Sequence, residues 1–252
     1  DSHWFIECME RGGKIVVISP EYGPPSTKAD YWMPIRPQTD AALFLGITRL
    51  MIDRKHYDEG FVKQFTDFPL LVRTDTLKRL RAHEVFAGYK TSLSLDGPSM
   101  KIQGLLPEQH ARLGDYVVWD AKMNAPRAVT RDEIGETMTR NGIDPMLEGR
   151  FPVKLVDGKT VECATLWTLY QTHLKDYDLD SVAEITRAPK DLIVQLATDI
   201  ATIKPVSIHQ GEGINHWFHA TEMNRAAYLP LMLTGNIGKP GAGCHTWAGN
   251  YK

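Results

Sequence analysis

The sequence predicts an α/β fold with a strand-loop-helix unit at each end of the chain, as in a doubly wound parallel sheet. Two observations point to the strands. Lys14 to Ser19 (KIVVIS) is a continuous apolar run rich in β-branched residues, set between Gly12-Gly13 and Pro20, which is the pattern of a strand buried on both faces. Pro205 to Gln210 (PVSIHQ) is a second such run, and it leads directly into Gly211-Glu212-Gly213. A third observation points to the helices: apolar residues at helical spacing follow each run, over 41–53 and over about 221–233.

The elements follow in chain order. His3 to Arg11 has the length and polarity of a helix end, and the run Lys14 to Ser19 follows it. A Gly-, Pro- and Ser-rich loop over 23–26 precedes an extended stretch, Tyr31 to Ile35, held by Pro34 and Pro37. Asp40 is placed to cap a helix from Ala41 to about Asp53, whose Leu43, Ile47, Leu50 and Met51 share a face. Residues 56–90 read as mostly helical, with Arg73, Lys78, Arg79 and Arg81 on a basic face. From 92 to 160 the chain is rich in turn signals: Asp96-Gly97-Pro98, Asn141-Gly142 and Asp157-Gly158, the last predicting a hairpin between VKLV and KTVEC. Helices are expected over Val161 to Leu174 and Asp180 to Thr186. Pro189 opens another, with Leu192, Ile193, Leu196, Ala197, Ile200 and Ala201 on one face. The helix over 221–233 is closed by Gly235 and Gly238, with Gly241 and Gly243 beyond.

Composition narrows the function. With 252 residues, 42% apolar and 24% charged, the chain can bury a real core and is neither collagen-like nor disordered. Its 29 Lys and Arg against 31 Asp and Glu leave a net charge of -2, so no basic footprint for nucleic acid is present. The longest apolar stretches fall far short of the ~20 residues that cross a bilayer. Cys8, Cys163 and Cys244 lie far apart, so alone they make neither a disulfide framework nor a zinc or iron–sulfur site. The sequence opens at Asp1 rather than Met and ends after a Gly-rich aromatic loop, and we expect it to be an internal piece of a longer protein.

Ligands of doubly wound sheets bind outside the carboxyl ends of strands, where helix N-termini offer N–H groups to anions. The first such place carries Ser19, Pro20, Glu21 and Tyr22, then Arg36, Thr39 and Asp40. A carboxylate there can accept paired bonds from a guanine edge or ribose hydroxyls. A plain loop carboxylate and a helix cap give the same spacing, so both readings stand. The second place carries His209, Gly211, Glu212, Gly213, Asn215, His216, Trp217 and His219. Glycines admit a ligand close to the backbone, and Asn and His supply neutral donors. His216 and His219 lack further ligands at zinc spacing, so no metal site is assigned. The G-x-G-x-x-G fingerprint fails at His216, a P-loop fails at Pro240, and no nucleophile elbow is present.

These residues resemble a known family. Residues 14–47, with Ala29 to Asp40 reading A-D-Y-W-M-P-I-R-P-Q-T-D, are similar to the molybdopterin-binding segment of the DMSO reductase superfamily. Residues 211–252, with Leu233 to Gly243 reading L-T-G-N-I-G-K-P-G-A-G, resemble its later cofactor segment. Residues 177–201 resemble its helix pair, with Arg187 where Gly is usual. Asn215 to His219 (N-H-W-F-H) and Phe65 to Arg73 (F-T-D-F-P-L-L-V-R) look most like alpha subunits of membrane-bound nitrate reductases and nitrite oxidoreductases. The form T-G-N-I-G-K-P-G-A-G-C-H leans toward the latter.

The resemblance implies parts of two doubly wound molybdopterin-guanine-dinucleotide-binding domains, 1–90 and 176–252, around a turn-rich middle, 91–175. It implies a molybdenum bis(molybdopterin guanine dinucleotide) cofactor, and a four-iron (4Fe-4S) iron–sulfur cluster held upstream of Asp1 together with the metal-ligating Asp. Ser19, Pro20, Glu21, Tyr22, Arg36, Thr39 and Asp40 would contact one nucleotide. Gly211, Glu212, Gly213, Asn215 and His216 would line the pterin, with Asn215 and His216 also serving as catalytic residues toward the substrate. The implied activity is oxidation of nitrite to nitrate by oxygen-atom transfer, or reduction of nitrate, chlorate or perchlorate. The implied partners are an iron–sulfur beta subunit and a haem-type gamma subunit or membrane anchor, in a membrane-associated complex whose face is undecided. A non-catalytic nucleotide-binding module would need only the two strand-helix units.

Overall fold

A computed structural model describes residues 2–90, 115–130 and 136–246. The described residues fall into two compact units, one up to Asp58 and again from Leu174, the other from Glu59 to His173.

The first unit opens with α1 (Ser2–Glu10), then β1 (Val16–Ser19), a 3-10 turn (Pro24–Thr27), β2 (Tyr31–Pro34) and α2 (Asp40–Asp53). β1 and β2 pair in parallel, Val16 opposite Tyr31 and Ser19 opposite Pro34. The pair is clamped from one side chain: Asp199 accepts from Lys14 Nζ at 2.6 Å and from Tyr31 Oη at 3.0 Å. Burial and this carboxylate push the Tyr31 hydroxyl far above its usual range, so it stays a donor. Asp40 is the first helical residue, not the cap expected from sequence. Thr39 occupies the cap position, and no side chain caps the helix.

The second unit corrects the middle of the chain. Residues 56–90 are not mostly helical: α3 (Glu59–Phe65) is followed by β3 (Leu71–Arg73), loops and the one-turn α4 (Ala82–Val85). The four basic residues are not one helix face. Arg73 pairs with Asp75 and Glu84 at 2.8 and 3.2 Å, and Arg81 lies over the Tyr116 ring. β4 (Tyr116–Asp120) and β5 (Ala125–Val129) form an antiparallel pair, then α5 (Glu136–Arg140) leads through the Asn141-Gly142 turn to β6 (Arg150–Lys154) and β7 (Thr160–Thr165). β6 and β7 make the expected hairpin, and β7 also pairs with β3. The helix expected over 161–174 therefore starts later, as α6 (Leu166–His173), because 161–165 are held by ladders on both sides. The turn signal at 96–98 lies outside the described residues. Trp119 stacks on Phe151 at 4.4 Å over a core of Leu71, Val117, Val153 and Cys163.

The chain then re-enters the first unit with α7 (Leu179–Thr186) and α8 (Lys190–Thr202). Asp178 caps α7, accepting from Ser181 N at 2.9 Å, and Arg187 ends it in the left-handed region at φ 61. That conformation is the reason a glycine suits the position. β8 (Ser207–Gln210), α9 (Glu212–Asn215), α10 (Ala220–Leu233) and β9 (Gly243–Thr246) complete a strand-helix-strand crossover, with β8 and β9 parallel.

α2 is the hub of this unit, packing against α7, α8 and α10 through Leu43, Phe44, Ile47 and Met51, all buried. Each such side chain contributes about 1.5–3 kcal/mol relative to exposure. At Gly46 an added Cβ would come within 2.6 Å of Val182, so only glycine permits α2 to meet α7. Asp58 N donates to Leu233 O at 2.8 Å, which joins the region just past α2 to the C-terminal end of α10. The loops that enter the two helices, 20–39 and 211–219, lie at the opposite ends of those helices from that junction.

Candidate functional site

The loop after β1 is closed on itself. Ser19 Oγ donates to Glu21 O at 2.7 Å and accepts from Trp32 Nε1 at 3.1 Å, and that indole also reaches Ser19 O. The Tyr22 ring meets Trp32 edge-on at 5.3 Å. Pro20, Glu21 and Tyr22 are exposed, with Glu21 directly past the carboxyl end of the strand. Farther on, Arg36 is exposed while its backbone N–H donates to Thr186 O at 2.7 Å, and Thr39 Oγ1 donates to Arg36 O at 2.6 Å. Asp40 sits half-buried in the first turn of α2, where the helix dipole favours an anion. Burial nevertheless raises its pKa, opposed by its own backbone N–H. Donors from a ligand would restore the charged form.

The loop after β8 is open. Gly211, Glu212, Gly213, Asn215 and His216 are all exposed. Asn215 Oδ1 accepts from Asn224 Nδ2 at 2.8 Å, which leaves the Asn215 Nδ2 group available to donate. His216 Nε2 stands 3.8 Å from Glu212 Oε2, one helical turn back, and both are exposed, so the pair adds little to stability. His219 takes the left-handed region at φ 63 to start α10. Trp217 and Phe218 project into solvent.

Three details bear on whether a pterin dinucleotide fits. Ser26, in the first loop, buries a hydroxyl with no partner. Gln210, the last residue of β8, is 4% exposed and has no partner for either amide atom. An unmet buried polar group costs about 1–3 kcal/mol. Gly211 and Gly213 have neither a positive φ nor any atom within 4 Å of an added Cβ, so protein packing does not require glycine there. Close approach by a ligand does require it. The residues present fit a flat, polar, anionic cofactor. Among the described residues no cluster of three or more metal-ligating side chains occurs.

Sequence reasoning thus placed the two loops at the strand ends, and the structure puts both in one compact unit. It missed Gln210 and Ser26, whose types carry no signal until burial is known. It also missed β9, which sets His245 opposite His209 with stacked rings 5.0 Å apart, where burial and the second imidazole lower the His209 pKa. Thr234 and Asn236 of the L-T-G-N motif serve the fold. Asn236 Oδ1 accepts from Val206 N at 3.1 Å, Asn236 Nδ2 donates to Thr234 Oγ1 at 2.6 Å, and Thr234 Oγ1 donates to Pro230 O at 2.8 Å.

The chain is similar to known proteins. Perchlorate reductase subunit alpha of Dechloromonas aromatica (strain RCB) is 32% identical over 259 residues, covering 100% of this chain and 27% of the relative. Respiratory nitrate reductase subunit alpha of Haloferax mediterranei is 30% identical over 256 residues, covering 100% and 24%. Chlorate reductase subunit alpha of Ideonella dechloratans is 27% identical over 246 residues, covering 96% and 24%. The chain spans about a quarter of the length of these relatives. Among solved structures, acetylene hydratase from Pelobacter acetylenicus covers 94% of this chain and 19% of its own, with a TM-score of 0.50 at 18% identity, a likeness of fold. The sequence pattern of the molybdopterin oxidoreductases matches residues 4–249, nearly the whole chain, and the chain belongs to that family.

Proposed function

We propose that the chain is part of the catalytic alpha subunit of a molybdenum-dependent oxyanion reductase, acting on nitrate, chlorate or perchlorate. The observation that carries this reading is the match over 100% of the chain to perchlorate and nitrate reductase alpha subunits. Oxidation of nitrite, the reverse direction, rested on the T-G-N-I-G-K-P-G-A-G-C-H form. Reduction is preferred because the relatives' names are those of perchlorate, nitrate and chlorate reductases.

In this reading the segments 1–90 and 176–252 hold a molybdenum bis(molybdopterin guanine dinucleotide). When bound, the cofactor would supply oxygen-atom exchange, by which an oxyanion, two protons and two electrons give the reduced anion and water. The chain's own residues bind and orient. The half-buried carboxylate of Asp40 accepts from a guanine edge, beside Thr39 and Arg36, with Ser19 to Tyr22 shaping the turn. Gly211, Glu212 and Gly213 give the backbone path along the pterin. Asn215, through Nδ2, and His216, through a ring N–H, present donors to the anion. Electrons would come through an iron–sulfur cluster upstream and an iron–sulfur beta subunit with a haem-type or anchoring gamma subunit. No described helix is long and apolar enough to cross a membrane.

The test is metal analysis and dye-coupled assay of the purified full-length protein. Molybdenum and iron with oxyanion-dependent oxidation of reduced viologen is the expected result. Nitrite-dependent reduction of an acceptor without oxyanion reduction would reverse the direction, and absence of both metals would leave a nucleotide-binding module.

A further inference from the structure

The carboxamide of Gln210 has no task inside the protein. Along β8 the side chains alternate, Ser207 and His209 outward, Ile208 and Gln210 inward, so Gln210 takes a core position that the pattern elsewhere gives to an apolar residue. Both its amide atoms are shut off from solvent, and neither meets a donor or acceptor. The residue stands at the carboxyl end of the strand, immediately before Gly211 and Gly213, whose glycines protein packing does not require. Its parallel neighbour across the sheet is Thr246. An amide donates and accepts side by side, which complements a ring edge carrying adjacent C=O and N–H groups. A fused pyrimidinone, present in both pterin and guanine, has such an edge.

We propose that Gln210 is a cofactor-holding residue, its carboxamide paired with the pyrimidinone edge of the bound cofactor. The inference rests on the molybdenum-cofactor reading above and adds a contact that lies outside the glycine loop itself.

The test compares full-length wild-type protein with Gln210→Leu and the isosteric Gln210→Glu. Molybdenum per polypeptide is measured, together with the melting temperature of protein made in a host unable to synthesise the cofactor. Gln210→Leu should melt no lower than wild type without cofactor, because an unmet amide has been replaced by an apolar chain. Its molybdenum content under limiting cofactor should fall about tenfold, the loss of roughly one good hydrogen bond. Gln210→Glu keeps an acceptor and should load between the two; if Gln210→Leu fails to fold, this variant decides. Adding GDP to the cofactor-free proteins separates the two rings. Loss of GDP stabilisation in the variant places Gln210 on guanine, and its retention alongside lowered molybdenum places it on pterin. Equal molybdenum in wild type and both variants would overturn the role of Gln210 alone. A wild-type protein without molybdenum would overturn the cofactor reading beneath it.

Discussion

Around the exit of β1 the polar groups satisfy one another, the buried Ser26 hydroxyl excepted: Ser19 with Glu21 and Trp32, Thr39 with Arg36, the Arg36 backbone with Thr186. Around the exit of β8 they do not. Gln210 is buried and unmet, Gly211 and Gly213 border open space, and Asn215 and His216 extend donors outward. Both exits begin the same way, with a parallel strand pair and a helix of 14 residues. The difference teaches that the first loop is held closed by its own hydrogen bonds, with a single hydroxyl left unmet at Ser26, whereas the second leaves most of its polar groups to a ligand. A carboxylate grip on a nucleotide suits the first. Close approach and donation to a small anion suit the second.

That division of labour can be broken by exchanging its expected effects. His216→Ala in the full-length enzyme should lower turnover by ~10² to 10³ while molybdenum content holds, since removal of one donor to an anion in the transition state costs that much. Steady-state rates measured beside metal analysis check it, and a proportional loss of molybdenum would move His216 to a structural role.

Asp40 should show the opposite split. Asp40→Asn removes a charged acceptor worth ~1.5–3 kcal/mol to a bound guanine, so molybdenum content should drop about tenfold or more under limiting cofactor. Because burial raises the Asp40 pKa, its ionisation costs stability as pH rises through that elevated value. The cofactor-free Asn variant should therefore melt higher than wild type near neutral pH, with its advantage vanishing toward acid, where Asp40 is protonated in both folded and unfolded chains. Melting curves across pH read this directly. A variant that is less stable without cofactor and equally loaded would make Asp40 a fold residue.

A smaller effect sharpens the frame that both loops share. Arg187→Gly should raise the stability of the cofactor-free protein by about 1 kcal/mol, because φ 61 is strained for Arg and free for Gly. An unchanged or lowered melting temperature would show that the Arg187 side chain earns its place by other contacts.

How far the sequence carried depended on how local each determinant is. β1, α2, α8 and α10 were legible because a β-branched run or a 3.6-residue apolar period lies within a single segment. β3 and β7 were not. LLVR and VECAT read equally well as helix or strand, and pairing between residues nearly a hundred apart decides them, as with Leu71 opposite Thr165. The basic residues at 73, 79 and 81 misled because they are spent on partners in the antiparallel unit, Arg73 on Glu84, Arg79 on Asp67, and Arg79 and Arg81 on the Tyr116 ring, instead of forming one helix face. In the site, the glycines, Asn215 and His216 stood out by type and clustering. Gln210 did not, since a glutamine at a strand end has meaning only once its burial and its missing partners are known.

The claim that the second loop is completed by its ligand is tested most directly at Gly213. Alanine there meets no atom within 4 Å and needs no positive φ. Within a helical turn it should stabilise the cofactor-free protein by about 0.5–1 kcal/mol. If a ligand lies against that backbone, the same methyl group must obstruct it. The account predicts that full-length Gly213→Ala melts higher than wild type without cofactor and carries several-fold less molybdenum. A variant that loads molybdenum as fully as wild type would contradict it.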